Sequence, residues 1–452
     1  MRVMLIQPPT RSTIKALTGA TSPPLGLAYI ASKLEAEGHE VRIVDSLAMG
    51  YDLADLEGEL RAFEPELVGV TATTPMIYDA YGVARLAKGV NPDCTVVVGG
   101  PRASFTAAET LSECGSIDVV VRGEGELTMA ELASGEELSR IRGIAYRDDG
   151  RIRQTADREL VRDLDDLPPP AYHLLPMRRY RFRDVGFATM ITSRGCPFGC
   201  IFCSSSKLMG KSWRGRSPEG VVEEMRLLSE GYGIREIEIL DDTFTLNRRR
   251  AREICELIRR ERLDVSWSCS SRVDTIDEAT AREMRAAGCH SIYLGVESAS
   301  QRSLNFLRKG ISLAAARRAL EMLRRLNFNT VASFIIGIPG ETVKAIERTI
   351  SFAKRLNPTF AQFSLLTPYP GTELYEYARE KGLLLTRDWS RYTVLDPVMR
   401  VPGLAARKLK WLLNKAYLSF YGRPLQVLKL IRFGGLSLLK PLFRLLPSRL
   451  TG

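Results

Sequence analysis

The sequence predicts an α/β protein with two successive sheets and a helical basic tail. Three observations predict it. Short apolar runs alternate with helical patterns through the first third of the chain. The same alternation resumes for six units after a proline-marked break. Residues 401–452 then hold ten Lys and Arg and no acid. A chain of 452 residues suits two or three domains. Hydrophobic residues at 45% and charged residues at 26% exclude a disordered or collagen-like chain. No apolar run reaches the roughly 18 uncharged residues of a spanning helix. The start at Met1 has too short an apolar run for a signal peptide, so a cytoplasmic protein is expected.

In residues 1–135 the apolar runs are 3–7, 41–45, 67–72, 95–99 and 118–121, with helical spacing over 25–37 and 78–88. Strands alternating with helices imply a parallel, doubly wound sheet. Ligands of such sheets lie beyond the carboxyl ends of the strands. The residues there include Asp45, Thr71, Thr73, Thr74, Gly99, Gly100, Arg102, Gly123 and Glu124. Residues 136–184 read as a connector, because the run Pro168, Pro169, Pro170 stiffens a chain and marks a boundary. Over 185–400 the strands are expected at 187–192, 236–240, 265–270, 291–296, 331–336 and 361–366, with helices such as 218–230 and 248–260. Six β/α units predict a partial (β/α)6 barrel whose site lies at the strands' carboxyl ends.

The net charge of +11 belongs almost entirely to the tail, since the other 400 residues carry +1. Nucleic-acid binding is not expected, because no aromatic platform accompanies the charge. Leu409, Leu412, Leu413, Ala416, Tyr417 and Phe420 recur at helical spacing. Residues 425–449 mix Leu, Ile and Phe with five basic side chains. A basic amphipathic stretch of this kind is expected at a membrane surface, where each basic residue contributes about 1 kcal/mol. A helical cap on the barrel is the alternative.

The strongest chemical signal is Cys196, Cys200 and Cys203, a C-x3-C-x2-C pattern just after the first barrel strand. Thiolates bind iron–sulfur clusters, and three of them leave one iron of a [4Fe–4S] cluster open. A zinc site would need a fourth ligand, and His39, His173 and His290 are far off in sequence. Cys94, Cys114, Cys255, Cys269 and Cys289 are dispersed and read as small buried hydrophobes.

With its spacing and with Phe202 before the last cysteine, the motif resembles the radical S-adenosylmethionine (SAM) superfamily. The resemblance covers about residues 185–400. It implies that the open iron chelates SAM, whose reductive cleavage gives a 5′-deoxyadenosyl radical. It places Asp241 and Asp242 at the SAM amino group and Glu297 and Ser298 at the ribose. Gly337, Ile338 and Pro339 fall at the adenine. Arg272 is the candidate for the SAM carboxylate, by charge.

Residues 1–135 resemble the cobalamin-binding domain of the B12-dependent members. The carriers are Pro23-Pro24-Leu25-Gly26, Gly38-His39-Glu40, Gly99-Gly100-Pro101 and Arg122-Gly123-Glu124-Gly125-Glu126. Pro24, Gly26, Asp45, Thr71, Thr73, Thr74, Gly99, Gly100, Arg102, Gly123 and Glu124 are the expected cobalamin contacts. One departure is the absence of D-x-H-x-x-G, the source of an axial histidine. Arg102 stands where relatives often have His. Cobalamin is therefore expected without histidine ligation.

The resemblance implies an enzyme that methylates an unactivated carbon of a hydrophobic substrate, a lipid or a tetrapyrrole. A reductase or ferredoxin would supply the electron. A ring-forming or carbon–carbon coupling enzyme is one alternative, and a membrane-associated B12 or redox sensor is another.

Overall fold

The computed structural model describes residues 1–10, 21–182 and 185–434. Five strands open the chain: β1 (Arg2–Gln7), β2 (Glu40–Asp45), β3 (Leu67–Thr71), β4 (Thr95–Gly99) and β5 (Val119–Val121). They run parallel in the order β2-β1-β3-β4-β5. A parallel sheet is covered on both faces, so its strands are apolar throughout. Val3 and Leu5 accordingly join the core beneath the helix Leu25–Ala36, while Met4 and Ile6 join the core beneath Ile77–Val90. The winding reverses between β1 and β3, which opens a crevice at their carboxyl ends.

The sheet runs on past residue 135. β6 (Ile144–Asp148) and β7 (Arg151–Gln154) add to it as an antiparallel hairpin. Asp149 and Gly150 both take positive φ, the two-residue turn that matches strand twist. The later connector is packed too. Tyr172 and Tyr180 are fully buried. The Tyr180 hydroxyl donates to Asp45 Oδ2 at 2.8 Å and that of Tyr172 to Glu224 Oε1 at 2.6 Å.

The second sheet begins with β8 (Arg181–Phe182) and β9 (Val185–Met190). A short pair, β10 (Ser193–Arg194) and β11 (Arg214–Gly215), stands outside it. β12 (Glu236–Ile239), β13 (Ser266–Ser271), β14 (Cys289–Glu297), β15 (Asn329–Ile336) and β16 (Phe360–Leu365) complete it. β9 and β12–β16 are the six expected parallel strands, in the open order β16-β15-β14-β13-β12-β9, and β8 adds antiparallel to β9 at the edge.

The helix Ala406–Tyr421 corrects the membrane expectation for its own length. Its Leu409, Leu412, Leu413, Ala416 and Phe420 are buried on the barrel. An edge strand presents unpaired backbone groups, and this helix satisfies those of β16. The Tyr417 hydroxyl accepts from Phe363 N–H at 3.2 Å and donates to Phe363 O at 2.7 Å. The Tyr421 hydroxyl does the same for Ala361, at 3.0 and 2.9 Å. The apolar stripe therefore covers a sheet edge. In the next helix, Pro424–Gly434, Leu425 and Leu428 are exposed. Residues 435–452 of the expected tail lie outside the described residues. No described helix is long and apolar enough to cross a membrane.

Candidate functional site

Beyond β9 the chain enters the cysteine loop, and Asp241 holds the entry. Its Oδ1 accepts the N–H groups of Thr192 and Ser193 at 2.6 and 3.0 Å. Its Oδ2 accepts their hydroxyls at 2.6 and 2.5 Å. Four donors fill a carboxylate. Asp241, expected at the SAM amino group, thus positions the loop instead. Gly195 follows at φ +89°, where a Cβ would strike the Ser212 carbonyl. Cys196 N–H donates to Gly210 O at 3.1 Å, Ile201 N–H to Leu307 O at 3.1 Å, and Leu374 N–H to Ile201 O at 2.9 Å. Ile201 also shares a buried cluster with Leu307, Ile338 and Leu374. The loop is pinned by segments that follow three different strands.

Cys196, Cys200 and Cys203 are half-buried and free, whereas the other five cysteines are buried, as expected. Burial raises the Cys196 and Cys200 thiol pKa, and the charges of Lys309 and Arg272 draw that of Cys200 back. Among the described residues, no three His, Cys, Asp or Glu side chains converge on one metal position. Zinc needs four ligands at about 2.0–2.3 Å from one point, while a cluster takes its thiolates on separate irons. The donor set fits a cluster.

Around the loop, the remaining expected SAM contacts divide. Asp242 is exposed. Desolvation by the surrounding protein still raises its carboxyl pKa, and Asp241 adds to the rise. Gly337 and Gly340 both have φ +85°, and Glu341 shapes their turn by accepting from Gly337 and Ile338 N–H, each at 3.1 Å. Ile338 is buried and Pro339 half-buried. Ser298 is buried, with its hydroxyl 3.4 Å from Glu341 Oε1. Glu297 takes φ +65°, unusual for a residue with a side chain. Its Oε1 accepts from Lys309 Nζ at 2.7 Å. The Lys309 ammonium lies 5.9 Å from the centre of the half-buried Phe202 ring. The Arg272 fork closes on both Asp274 oxygens at 3.0 and 2.9 Å and on Lys309 O at 2.8 Å. Its flat face lies 3.5 Å from the centre of the Phe198 ring.

The loop after β5 reaches across to the cysteine loop. Arg194 Nη1 donates to Glu124 Oε1 at 3.0 Å and Nη2 to Glu126 Oε1 at 2.6 Å. Arg214 stands 3.0 Å from Glu124 Oε1. All four side chains are at least nine-tenths buried. Burial opposes the Arg194 charge, and Glu126 and then Glu124 outweigh it and raise its pKa. Arg194 immediately precedes Gly195 and Cys196. The carboxyl ends of the two sheets therefore meet across a buried ion network. Sequence reading named Glu126 only within the motif 122–126 and missed Arg194, Arg214 and Lys309 as site residues. The Arg beside Gly-Cys was the available signal for the first, and Lys309 had none.

Three expected cobalamin contacts face elsewhere. Glu124 belongs to this network. Asp45 caps Ala48 N–H at 3.0 Å and receives Tyr180. Arg102 is fully buried over the Trp389 ring, 3.8 Å from its centre, with Glu109 at 3.4 Å as an ion pair without a hydrogen bond. What faces the crevice is smaller. Thr73 is exposed; Pro24, Thr71 and Gly99 are half-buried, and Thr74 is buried. Gly26 and Gly123 have open space where a Cβ would stand. Gly100, at φ +95°, could not take one, since Ala72 O would lie 2.8 Å away. Small residues and open strand ends fit a bulky group such as a corrin.

Comparisons agree with this arrangement. The B12 binding domain model matches residues 11–133 and the Radical SAM superfamily model residues 190–353. An uncharacterised methyltransferase of Pyrococcus horikoshii is 48% identical over 433 residues, covering 95% of this chain and 94% of that protein. The anaerobic magnesium-protoporphyrin IX monomethyl ester cyclase of Rubrivivax gelatinosus is 31% identical over 442 residues, covering 93% and 79%. Among solved structures, the radical SAM methyltransferase TsrM of Kitasatospora setae, with cobalamin and a [4Fe–4S] cluster bound, superposes with a TM-score of 0.75. It is 20% identical and covers 94% of this chain and 89% of its own, a likeness of fold. The chain belongs to the B12-binding-domain radical SAM family and is an enzyme of that superfamily whose cofactors are a [4Fe–4S] cluster, SAM and cobalamin.

Proposed function

We propose that the enzyme methylates an unactivated carbon of a hydrophobic substrate of tetrapyrrole type. The observation that carries this reading is the Arg194 fork between Glu124 and Glu126, which sets the crevice of the first sheet against the cysteine loop of the second. When bound there, the cluster and SAM supply radical chemistry and cobalamin supplies a methyl carrier. The chain's own part is placement. Asp241 and Gly195 fix the cysteine loop, Glu341 shapes the adenine turn, and the buried network excludes water between the two sheets. The relative named as a magnesium-protoporphyrin ester cyclase supports a tetrapyrrole-like substrate.

Cobalamin is held, in this reading, without a histidine ligand. His39 precedes β2, at the opposite end of the sheet from Gly99. His173 pairs with Glu35 at 3.1 Å, and His290, at the start of β14, pairs with Glu236 at 2.7 Å. A ferredoxin or reductase delivers the electron. The membrane contact narrows to Pro424–Gly434 and the residues after it, beginning with exposed Leu425 and Leu428. The similarity to that cyclase also favours a second reading, oxidative ring closure without methyl transfer.

Anaerobic holoenzyme given methyl-deuterated SAM and candidate tetrapyrroles decides between them by mass spectrometry. A deuterated methyl group on the product is the expected result. Deoxyadenosine formation with a product lighter by hydrogens, and no deuterium, would instead establish ring closure.

A further inference from the structure

The inner face of the second sheet carries a polar layer nearer the strands' amino ends than the expected SAM contacts. Side chains alternate between the faces of a strand. In β12, Ile237 and Ile239 enter the core beneath the helices, so Glu236 and Glu238 point to the opposite, inner face. Leu240 continues that alternation and is 45% exposed. Glu238 lies in register with Thr189 of β9 and Ser268 of β13. Tyr293 of β14 stands on the same face, in register with Ser270.

Two hydrogen-bonding groups in this layer are left short of partners. An ionised carboxylate has room for about four donors. Burial raises the Glu238 carboxyl pKa, and one hydrogen bond, from Tyr293, lowers it in part. The Thr189 hydroxyl is fully buried and has no hydrogen-bond partner among the described residues. Buried polar groups are unfavourable until they are met. The surroundings leave room for a group that meets them, because Ser270, Gly295 and Ser333 on this face are small and half-buried.

The layer also states what kind of group fits. Exposed Leu240 offers an apolar contact beside it. Glu236 adds negative charge on the same face and disfavours a substrate carboxylate. A hydroxyl both donates and accepts, so it can meet a carboxylate and a neighbouring hydroxyl together. Resting on the tetrapyrrole reading of the substrate, we propose that Glu238, oriented by Tyr293, binds a hydroxyl group on that substrate and so selects hydroxylated over unhydroxylated forms.

The test uses haematoporphyrin and protoporphyrin IX, which carry hydroxyethyl and vinyl groups at the same ring positions. Quenching of porphyrin fluorescence reports their binding to the anaerobic holoenzyme with SAM. The wild type should bind haematoporphyrin about ten- to a hundredfold more tightly, the range of a hydrogen bond to a charged group. E238L should remove the preference by weakening haematoporphyrin alone, and Y293F should shrink it. Equal binding of both porphyrins by the wild type, or a preference that survives E238L, would overturn the proposal while leaving the tetrapyrrole reading standing. Binding of neither porphyrin would remove that reading, and the anchor with it. Iron content checks that each variant is folded. Should E238L lose its iron, Y293F decides by the same comparison.

Discussion

Cys200→Ala is expected to abolish SAM cleavage while cobalamin binding persists. Cys196, Cys200 and Cys203 are the half-buried thiols, and the other five cysteines are buried and cannot substitute. Alanine keeps the backbone bonds that pin the loop, since the Ile201 and Cys203 N–H bonds involve main chain alone. The loss is therefore chemical rather than structural. It should exceed the roughly 10–100-fold that changes beyond a metal's own ligands produce. Iron content, deoxyadenosine yield and the cobalamin absorption band measure the three quantities separately. Deoxyadenosine formation near the wild-type rate would overturn the cluster assignment.

Arg194→Met should have the largest effect on stability. The substitution leaves Glu124 and Glu126 buried. Glu124 keeps Arg214 at 3.0 Å, but Glu126 has no other ion-pair partner among the described residues. Removing one partner of a buried pair costs about 3–5 kcal/mol, because the charge left behind is uncompensated. Arg194→Lys should rescue little, since an ammonium does not offer a planar fork to two carboxylates. Denaturant midpoints of the holoprotein provide the measurement. Cluster content should fall as well, because residue 194 adjoins Gly195 and Cys196. A change below about 1 kcal/mol, the value of an exposed pair, would mean that the network does not hold the sheets together.

Much of this architecture is legible in the sequence, down to strand ends such as 95–99. Periodicity and turn chemistry are local, and the strands are local. The hairpin at Asp149-Gly150 carried its own signal, yet the three prolines after it suggested a stiff connector at a domain boundary. The tail shows a different limit. Leu409, Leu412, Leu413 and Phe420 mark an apolar face, but spacing alone cannot say whether lipid or the edge of β16 covers it. The site shows a third. Motifs locate Asp45, Arg102 and Glu124 near strand ends, while the directions of their side chains depend on distant partners. Glu124 meets Arg194 70 residues away, and Asp45 meets Tyr180 135 residues away. Lys309 lies in no motif and is visible only once Leu307 is seen to pin Ile201.

The Arg194 bridge sets the cysteine loop of the second sheet against the crevice at the carboxyl ends of the first. Electron paramagnetic resonance of the anaerobic holoprotein, with the cluster reduced and cobalt in its paramagnetic divalent state, tests this placement most directly. Magnetic interaction between the two centres is the predicted result. A spectrum equal to the sum of two isolated centres would contradict it.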